Sequence, residues 1–455
     1  MIPRYLYATL GAGLLVTNVI ACAAGSTPDQ PSGGKGGDGA GAGTGGSGAG
    51  SGGGGGGGVG GGGGGGGSPG HPLPPLPLRA EGRWILDATG ARFKFAAVNW
   101  YGAEEMDYVP AGLEIADVRN IALRIRDLGF NAVRLPWSNE MVALNPVVAD
   151  AVVSANPSLQ GKTALEMFDA VIDALAHEGL VVILDNHVSD ADWCCSDADQ
   201  NGLWYTSSYP EDVWLQHWRD LAQRYAGQPA VVAADLRNEP RPVLEAGCQA
   251  CTQCPCASCA CVTPVWGGGD PATDWHAAAT RGGNAALEEN PNLLIVVEGL
   301  SYAGDLGGPY TLPVTLDVPN RLVYSAHDYS WFHPGVSDYQ ALKTELGNRW
   351  GYLLTQGQPY TAPVLVGEFG TCHTAATCVT DATGQGFWFS GIRTYLGEAD
   401  IDWAYWSING TQARGTGRTF GAEETYGILD VAWQSPASEP LLSSLQALQP
   451  ATQGP

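Results

Sequence analysis

The chain has 455 residues, a formal net charge of −24 at pH 7 and 11 cysteines. A charge this negative argues against nucleic acid and anionic lipid headgroups as partners, because their phosphates would repel the protein. The length allows two or three average domains, or a single α/β barrel of about 250 residues or more with insertions.

The N-terminal segment predicts export. Its apolar run from Leu10 to Ile20 is typical of an export signal rather than of a membrane-spanning helix. The sequence around Cys22, which follows Val-Ile-Ala, resembles the lipobox of bacterial lipoproteins. That resemblance implies a signal peptide over residues 1–22 and a lipidated Cys22 at the mature N-terminus.

Ordinary cleavage near Ala23 is the alternative, because Ala21-Cys22-Ala23 also satisfies the small-x-small rule. We therefore expect an exported protein, either a lipoprotein of the cell envelope or a secreted protein, whose only contact with a membrane is that anchor. Apart from Cys22, ten of the 11 cysteines remain, which favours an oxidising compartment and disulfide bonds.

Residues 23–78 predict a flexible linker. Residues 33–68 are almost pure glycine, a composition that cannot bury enough apolar surface to offset its conformational entropy. Residues 69–77 are rich in proline and predict a stiffer, polyproline-like segment. Globular sequence begins near Arg79, so we expect one folded domain over residues 79–450.

Short apolar runs in this folded part predict β-strands. Most runs are apolar on both faces, as parallel strands are when helices cover the sheet outside and side chains fill a barrel inside. The eight runs are residues 93–100, 131–137, 180–188, 231–239, 293–300, 322–329, 364–370 and 402–409.

Amphipathic stretches of helical length alternate with these runs. The alternation favours a parallel sheet, and repeats that end in a helix favour closure into a single (β/α)8 TIM barrel with loop insertions. No Gly-x-Gly-x-x-Gly motif opens a helix after the first strand, which weakens a dinucleotide-binding interpretation. The predicted helices are residues 117–128, 164–178, 211–225, 274–289, 339–350, 385–398 and 440–448.

Polar or aromatic side chains close six of the predicted strands. In a barrel of this class the carboxyl ends of the strands form the active-site face, so these side chains should surround one opening. Glu239 and Glu368 carry most weight, because a carboxylate that follows a buried strand usually points into a polar pocket rather than into the core. Two carboxylates that face one cleft supply the acid and the nucleophile that glycoside hydrolysis needs. The strand-end groups are Arg134, Asp185-Asn186-His187, Asn238-Glu239, His327-Asp328-Tyr329, Glu368 and Trp406.

These residues, in this order, resemble glycoside hydrolase family 5, the cellulase family in a clan of retaining (β/α)8 glycosidases. The resemblance spans roughly residues 79–450. It rests on an arginine after strand two, a histidine after strand three, Asn-Glu-Pro on strand four, His-x-Tyr on strand six, a glutamate on strand seven and a tryptophan on strand eight. The matching residues are Arg134, His187, Asn238-Glu239-Pro240, His327-Asp328-Tyr329, Glu368 and Trp406.

The resemblance implies a role for each glutamate. Glu239 would protonate the departing glycosidic oxygen, and Glu368 would attack the anomeric carbon to form a covalent glycosyl-enzyme. Their carboxyl groups should then lie about 5–5.5 Å apart, as in retaining enzymes. An ionised Glu368 would keep Glu239 protonated, and once Glu368 is esterified Glu239 could act as the base.

The resemblance also implies supporting roles. Arg134 and Tyr329 would hold Glu368 ionised through hydrogen bonds to its charged form. Asn238 would bind the sugar 2-hydroxyl, and Trp406 would provide a flat apolar floor for the sugar ring. The two histidines, His187 and His327, would orient neighbouring groups.

An insert over residues 247–262 contains six cysteines between Cys248 and Cys261. Paired Cys-x-x-Cys spacing suits a zinc cluster, whereas export and the lack of accompanying histidines favour a disulfide-stapled loop. Such a loop could also bridge to Cys194 and Cys195. Two further cysteines, at positions 372 and 378, are expected to close a small loop of their own.

Together these observations predict an endoglucanase-like, retaining β-glycosidase that acts on β-linked glucans as a monomer and needs no metal or organic cofactor. Its expected partner is a polysaccharide or oligosaccharide substrate. A β-mannanase, xylanase or β-glucosidase of the same fold is the alternative within the enzyme class. A non-catalytic surface lipoprotein that binds polysaccharide is the alternative outside it, although the intact pair of Glu239 and Glu368 argues against that. A metal-storing module built on the cysteines would leave the other strand-end residues unexplained.

Overall fold

Eight parallel strands close into a barrel in the computed structural model, which describes residues 70–245, 248 and 254–450. Each strand pairs with its neighbours in chain order, and the eighth pairs with the first. The predicted (β/α)8 barrel is therefore confirmed. The barrel strands are β1 (Ala96–Asn99), β2 (Ala132–Ser138), β3 (Val181–Val188), β4 (Val231–Asp235), β5 (Leu294–Glu298), β6 (Leu322–His327), β7 (Val364–Phe369) and β8 (Asp402–Tyr405).

Helices cover the outside of this barrel. The main ones are α1 (Val118–Asp127), α2 (Ala164–His177), α3 (Glu211–Arg224), α4 (Trp275–Glu289), α5 (Tyr339–Arg349), α6 (Gly384–Glu398) and α7 (Glu439–Gln446). Shorter helices span Asn139–Leu144 and Ala376–Val379, and the connection from β5 to β6 has a 3-10 turn at Gly308–Tyr310 in place of an α-helix. Within the described ranges, none of the helices combines the length and the apolar character needed to cross a bilayer.

The predicted elements differ from the observed ones mainly at the carboxyl ends of the strands. The run predicted over residues 231–239 ends as a strand at Asp235, so Glu239 lies in a loop four residues further on. Beyond the strand, the backbone N–H of Asn238 donates to the Asn186 carbonyl oxygen (3.0 Å), across to β3. The run predicted over residues 402–409 likewise ends at Tyr405. Polar side chains at these strand ends need hydrogen-bond partners inside the opening. The backbone there gives up regular strand pairing, and its polar groups bond to other partners.

The amino end of the barrel is closed by the N-terminal residues of the folded part. Two short antiparallel strands, Arg79–Glu81 and Trp84–Leu86, precede β1. Leu78 is buried in one cluster with barrel residues such as Val181 and Leu294, and Leu76 packs against that cluster. The sequence predicts that residues 70–78 belong to the linker. They instead belong to the folded part, because burial of their leucines outweighs the polyproline-like composition.

The predicted signal peptide, Cys22 and the glycine-rich part of the predicted linker lie outside the described residues.

Asp274 caps α4 and also binds the loop that precedes this helix. Its carboxylate accepts hydrogen bonds from the backbone N–H groups of Ala277 (3.0 Å), Gly267 (3.1 Å), Gly268 (3.1 Å) and Gly269 (2.8 Å). Burial alone would raise the pKa of Asp274, but these bonds outweigh it and the net pKa is lowered. The ionised form is therefore the one that stabilises the fold.

We expect Asp274→Ala to lower the free energy of unfolding by about 1–3 kcal/mol at pH 7, because four backbone N–H groups lose the carboxylate that accepts from them. A lowered pKa stabilises the fold above the ordinary Asp range, and this contribution is lost as the pH falls through the folded-state pKa, so the difference should shrink in acid. Urea unfolding at several pH values would measure it. Asp338→Ala, which removes the exposed cap of α5 with its single bond to Ala341 (3.0 Å), is the control and should cost less; equal losses would contradict the prediction.

Candidate active site

Arg134 lies on β2 with no exposed surface, and its guanidinium contacts four carboxylates. Nε donates to Asp235 Oδ2 (2.8 Å), Nη1 donates to Glu368 Oε1 (2.8 Å), and Nη2 donates to Glu298 Oε1 (2.8 Å) and lies 3.0 Å from Asp185 Oδ1. Burial alone would lower the pKa of Arg134, but the carboxylates outweigh it and raise the pKa well above its ordinary value. Arg134 thus carries a permanent positive charge at the centre of the opening.

Two asparagine side chains complete the contacts of this guanidinium. Nη1 donates to Asn99 Oδ1 (3.1 Å) and Nη2 donates to Asn238 Oδ1 (2.9 Å). Asn99 in turn donates through Nδ2 to the carbonyl oxygens of Gly367 (3.0 Å) and Tyr405 (3.2 Å). The ends of β1, β2, β7 and β8 are thereby joined through one buried cation.

Glu368 lies on β7 and is 5% exposed. One carboxylate oxygen accepts the bond from Arg134, and the other accepts a bond from the Tyr329 hydroxyl (3.0 Å). Burial raises the pKa of Glu368 above its ordinary value, and the positive charges of His327 and Arg134 oppose that rise. The charged form of Glu368 therefore depends on these neighbours.

Glu239 lies opposite, in the loop after β4, and is 7% exposed. Its backbone is left-handed, with φ of 48°, a conformation that a non-glycine residue adopts only when its surroundings hold it there. Glu298 helps to stabilise this backbone conformation, because its Oε2 accepts a hydrogen bond from the Glu239 backbone N–H (2.7 Å). The Glu239 side chain reaches His327, with Oε1 3.0 Å from Nδ1.

The two glutamates approach closely around His327. One carboxylate oxygen of Glu239, one of Glu368 and a ring nitrogen of His327 all lie within 4.8 Å of one another. Carboxyl groups of inverting glycosidases stand about 6.5–9.5 Å apart, whereas those of retaining enzymes stand about 5–5.5 Å apart. The approach in this site matches the retaining class.

His327 lies on β6 between three carboxylates. Nδ1 is 3.0 Å from Glu239 Oε1 and 3.6 Å from Glu368 Oε2, and Nε2 is 3.2 Å from Glu298 Oε1. Burial alone would lower the pKa of His327, but Glu298 and Glu368 outweigh it, so the net pKa is raised well above 6.5. Burial likewise works against ionised Glu298, yet His327 and Arg134 lower its pKa to about 2. The imidazolium and Glu298 thus form an ion pair beneath the two glutamates.

His187 and Trp406 lie on the side of the opening formed by β3 and β8. Nδ1 of His187 is 2.7 Å from Asp185 Oδ2. Burial lowers the pKa of His187, but Asp185 more than offsets it and the net pKa is raised. The Trp406 ring stacks on Tyr101 (centroids 5.2 Å apart) and on His187 (5.5 Å), and 7% of its surface is exposed. Packing against Tyr101 and His187 therefore fixes the orientation of the Trp406 ring.

The structure thus brings together at this opening the eight residues to which the resemblance gave roles. Asp185, which also closes a predicted strand, is a direct partner of Arg134. The structure adds Asp235, Glu298 and Asn99 as further partners of this guanidinium. Asp235 carries a signal in the sequence, because it is the one charged residue in the apolar run Val-Val-Ala-Ala-Asp and no surface position could explain it. The backbone contact of Glu298 with Glu239 had no such signal.

Three clusters of possible metal ligands occur among the described residues, and each already has another role. Asp185, Asp235 and Glu298 surround the Arg134 guanidinium. Glu239 and Glu368 flank the His327 imidazolium. The third cluster contains His187 with two cysteines that are disulfide-bonded to each other, so these sulfurs are not thiolate ligands.

The disulfides correct one prediction. The possible bridge from Cys194 and Cys195 to the insert was wrong, since these neighbouring residues bond to each other. The insert is stapled by Cys248–Cys259 and Cys254–Cys261, which favours the disulfide interpretation over a zinc cluster. A hydrogen bond instead links the insert to the loop that bears the cysteine pair, since Asp197 Oδ2 in that loop accepts from the Cys254 backbone N–H (2.5 Å). The predicted small loop is confirmed by the disulfide between the cysteines at positions 372 and 378.

Comparison with known proteins agrees with this geometry. The family described as Cellulase (glycosyl hydrolase family 5) matches residues 86–412. An endoglucanase of Paenibacillus polymyxa is 35% identical, over 72% of this chain and 79% of its own length. Among solved structures, the catalytic domain of the major endoglucanase from Xanthomonas campestris pv. campestris has 28% identity and a TM-score of 0.65, over 82% of this chain and 99% of that one. An endocellulase from Pyrococcus horikoshii, solved as a complex with cellotetraose, has 27% identity and a TM-score of 0.67, over 83% and 100%.

The bond from Tyr329 to Glu368 should be visible in the pH profile. Tyr329→Phe removes a donor that favours the ionised carboxylate, so the pKa of Glu368 should rise further and the acidic limb of kcat/KM should move to higher pH. We expect kcat/KM for an aryl β-cellobioside to fall by about 10- to 100-fold near neutral pH. Tyr352→Phe, which removes a hydroxyl bonded to the Leu306 carbonyl oxygen (2.6 Å), is the control and should leave the limb in place. If the acidic limb of kcat/KM does not move in Tyr329→Phe, the hydrogen bond from Tyr329 does not help to keep Glu368 ionised, and the prediction is wrong.

Proposed function

This chain belongs to the cellulase family, glycosyl hydrolase family 5, and we propose that it hydrolyses β-linked glucans by double displacement, with retention at the anomeric carbon. The close approach of the Glu239 and Glu368 carboxylates, within 4.8 Å, is the observation that carries the proposal. At that separation no water fits between carboxylate and sugar on the attacking face. One carboxylate must then attack the sugar itself.

Glu368 is the nucleophile in this proposal. Its Oε1 is fixed by Arg134 and its Oε2 by Tyr329, so the attacking oxygen has a defined direction. Attack forms a bond from a carboxylate oxygen to the anomeric carbon while the bond from that carbon to the leaving oxygen breaks. In the second half, water attacks the anomeric carbon and releases Glu368 as a carboxylate.

Glu239 is the acid and then the base. In the first half it gives its proton to the departing glycosidic oxygen, and in the second half it takes a proton from the attacking water. Glu368 carries no negative charge in the covalent intermediate, so the two carboxyl groups no longer repel each other in the second half of the reaction. The backbone bond to Glu298 fixes the position from which both transfers occur.

The remaining side chains bind the sugar or orient these two. Asn238 binds the 2-hydroxyl, a contact that strengthens as positive charge develops on the ring. Trp406 contacts the sugar ring, His327 orients Glu239, and His187 supports the Trp406 ring through stacking. We also propose that the enzyme acts as a monomer, because a single barrel supplies the nucleophile, the acid and the side chains around them.

The substrate proposed is a β-linked glucan chain. Relatives named endoglucanase and the cellotetraose complex of a similar protein support a glucan, and the neutral substrate suits a protein of net charge −24. Turnover of β-mannan or xylan in preference to glucan would overturn this part of the proposal and leave the mechanism standing.

Replacement of each glutamate should have a different effect on two substrates. Glu239→Gln should lower kcat/KM about 10²- to 10⁴-fold on cello-oligosaccharides, but much less on 2,4-dinitrophenyl β-cellobioside, whose leaving group needs no proton. Glu368→Gln should abolish turnover of both, because no nucleophile remains. Steady-state kinetics on the two substrates would test this.

The exposed Glu288→Gln, on α4, is the matched control and should retain wild-type rates on both substrates. Equal losses on both substrates in Glu239→Gln would contradict the acid role. Absence of turnover by the wild type on every β-glucan would move weight to the polysaccharide-binding alternative.

We further propose that the protein is exported and anchored to the cell envelope through Cys22. The apolar run before Cys22 and the long glycine-rich stretch after it support this arrangement, in which the linker lets the enzyme reach a polymer outside the cell. Radiolabelled palmitate should enter the wild-type protein and not Cys22→Ala, and Cys248→Ala should retain the label as a control for cysteine loss. An unlabelled wild type would favour simple secretion.

A further inference from the structure

The disulfide between Cys194 and Cys195 lies in the loop after β3, directly against the proposed sugar site. Nδ2 of Asn238 is 3.8 Å from Cys194 Sγ and 3.7 Å from Cys195 Sγ. Nε2 of His187 is 3.4 Å from Cys194 Sγ. Both sulfurs therefore face the amide group assigned to the sugar 2-hydroxyl.

The Asn238 amide is held from two sides. Its Oδ1 accepts from Arg134 Nη2 (2.9 Å), which fixes the oxygen toward the buried cation and the nitrogen toward the sulfurs. An amide nitrogen has two N–H groups, and a disulfide sulfur is only a weak acceptor. One N–H can rest on the sulfurs while the other stays available to a stronger acceptor.

The loop that carries the disulfide is anchored rather than free. Asp199 Oδ2 accepts from Arg241 Nη2 (2.7 Å), just beyond Glu239 in the chain. Asp197 accepts from the Cys254 backbone N–H and from the Tyr302 hydroxyl, both at 2.5 Å. The sulfurs thus have a fixed position relative to the loop that bears Asn238 and Glu239.

We propose that the Cys194–Cys195 disulfide is a positioning element for catalysis, which orients the Asn238 amide so that its second N–H meets the sugar 2-hydroxyl. The inference rests on the proposed function, since it assigns to this disulfide a part in that same reaction. Two bonded sulfurs present a broad, polarisable surface without a strong donor or acceptor. A pair of hydroxyl or thiol groups in the same place would offer Asn238 competing hydrogen bonds.

The test compares two substrates that differ only at the 2-position. They are 2,4-dinitrophenyl β-cellobioside and its analogue with a 2-deoxy sugar next to the leaving group. The quantity measured is kcat/KM for the cellobioside divided by kcat/KM for its 2-deoxy analogue. This ratio does not depend on the fraction of enzyme that is folded. The variants are Cys194→Ser/Cys195→Ser, Asn238→Ala and the combination of both.

If the disulfide acts through Asn238, the ratio should fall about tenfold in Cys194→Ser/Cys195→Ser, the effect of one misplaced hydrogen bond. Asn238→Ala should lower it at least as far, and the combined variant should fall no further than Asn238→Ala alone. The control is Cys372→Ser/Cys378→Ser, which removes a disulfide from the loop after β7 and should keep the ratio within about twofold of wild type.

A Cys194→Ser/Cys195→Ser protein that loses the same factor on both substrates, with its ratio unchanged, would overturn the proposal and leave the disulfide a structural staple. Independent, multiplicative losses in the combined variant would overturn it as well. A wild type inactive on both substrates would instead refute the proposed function, and this inference with it.

Discussion

The buried guanidinium of Arg134 is the interaction on which the site depends. Taking one cation and several carboxylates out of water costs many kcal/mol, and the cost is offset only when geometry and hydrogen bonding are nearly complete. Here all three guanidinium nitrogens have partners, and with Asp185 included these partners come from the ends of five different strands or their following loops. A misplaced strand would leave a charge without its partner, so the electrostatics of the site also fix the register of the barrel.

The carboxyl groups around Arg134 differ in their pKa values, and the proposed reaction depends on this difference. Burial and the nearby Glu298 charge raise the pKa of Asp235 well above its ordinary value, although the positive charge of Arg134 opposes that rise. Glu298 keeps its negative charge and fixes both His327 and the Glu239 backbone. Arg134 Nη1 also donates to Glu368, the group that must stay ionised for attack in the proposed mechanism.

Strand pairing explains why the sequence could predict so much of this site. Polar residues at the ends of parallel strands must meet at one rim, so the sequence alone places Arg134, Glu368 and Tyr329 together. The features that the sequence could not predict depend on tertiary contacts that leave no periodic pattern in the sequence. The left-handed backbone at Glu239, the bond of Cys194 to its own neighbour and the burial of leucines in a proline-rich segment each follow from tertiary contacts that override local composition.

The charged cluster and the aromatic side of the opening perform separate tasks. Arg134, Glu298 and His327 are fully buried beneath the two glutamates, so their field acts on the carboxylates with little screening. Trp406 and the disulfide sulfurs lie beside them without strong hydrogen-bonding groups, which leaves a sugar to be held by its apolar face and by a few directed N–H bonds. Asn238 belongs to both parts, because its oxygen binds the cation and its nitrogen rests on the sulfurs. In the proposed mechanism it therefore couples sugar recognition to the same guanidinium that orients the nucleophile Glu368, because the 2-hydroxyl of the substrate would bind an amide that Arg134 already holds.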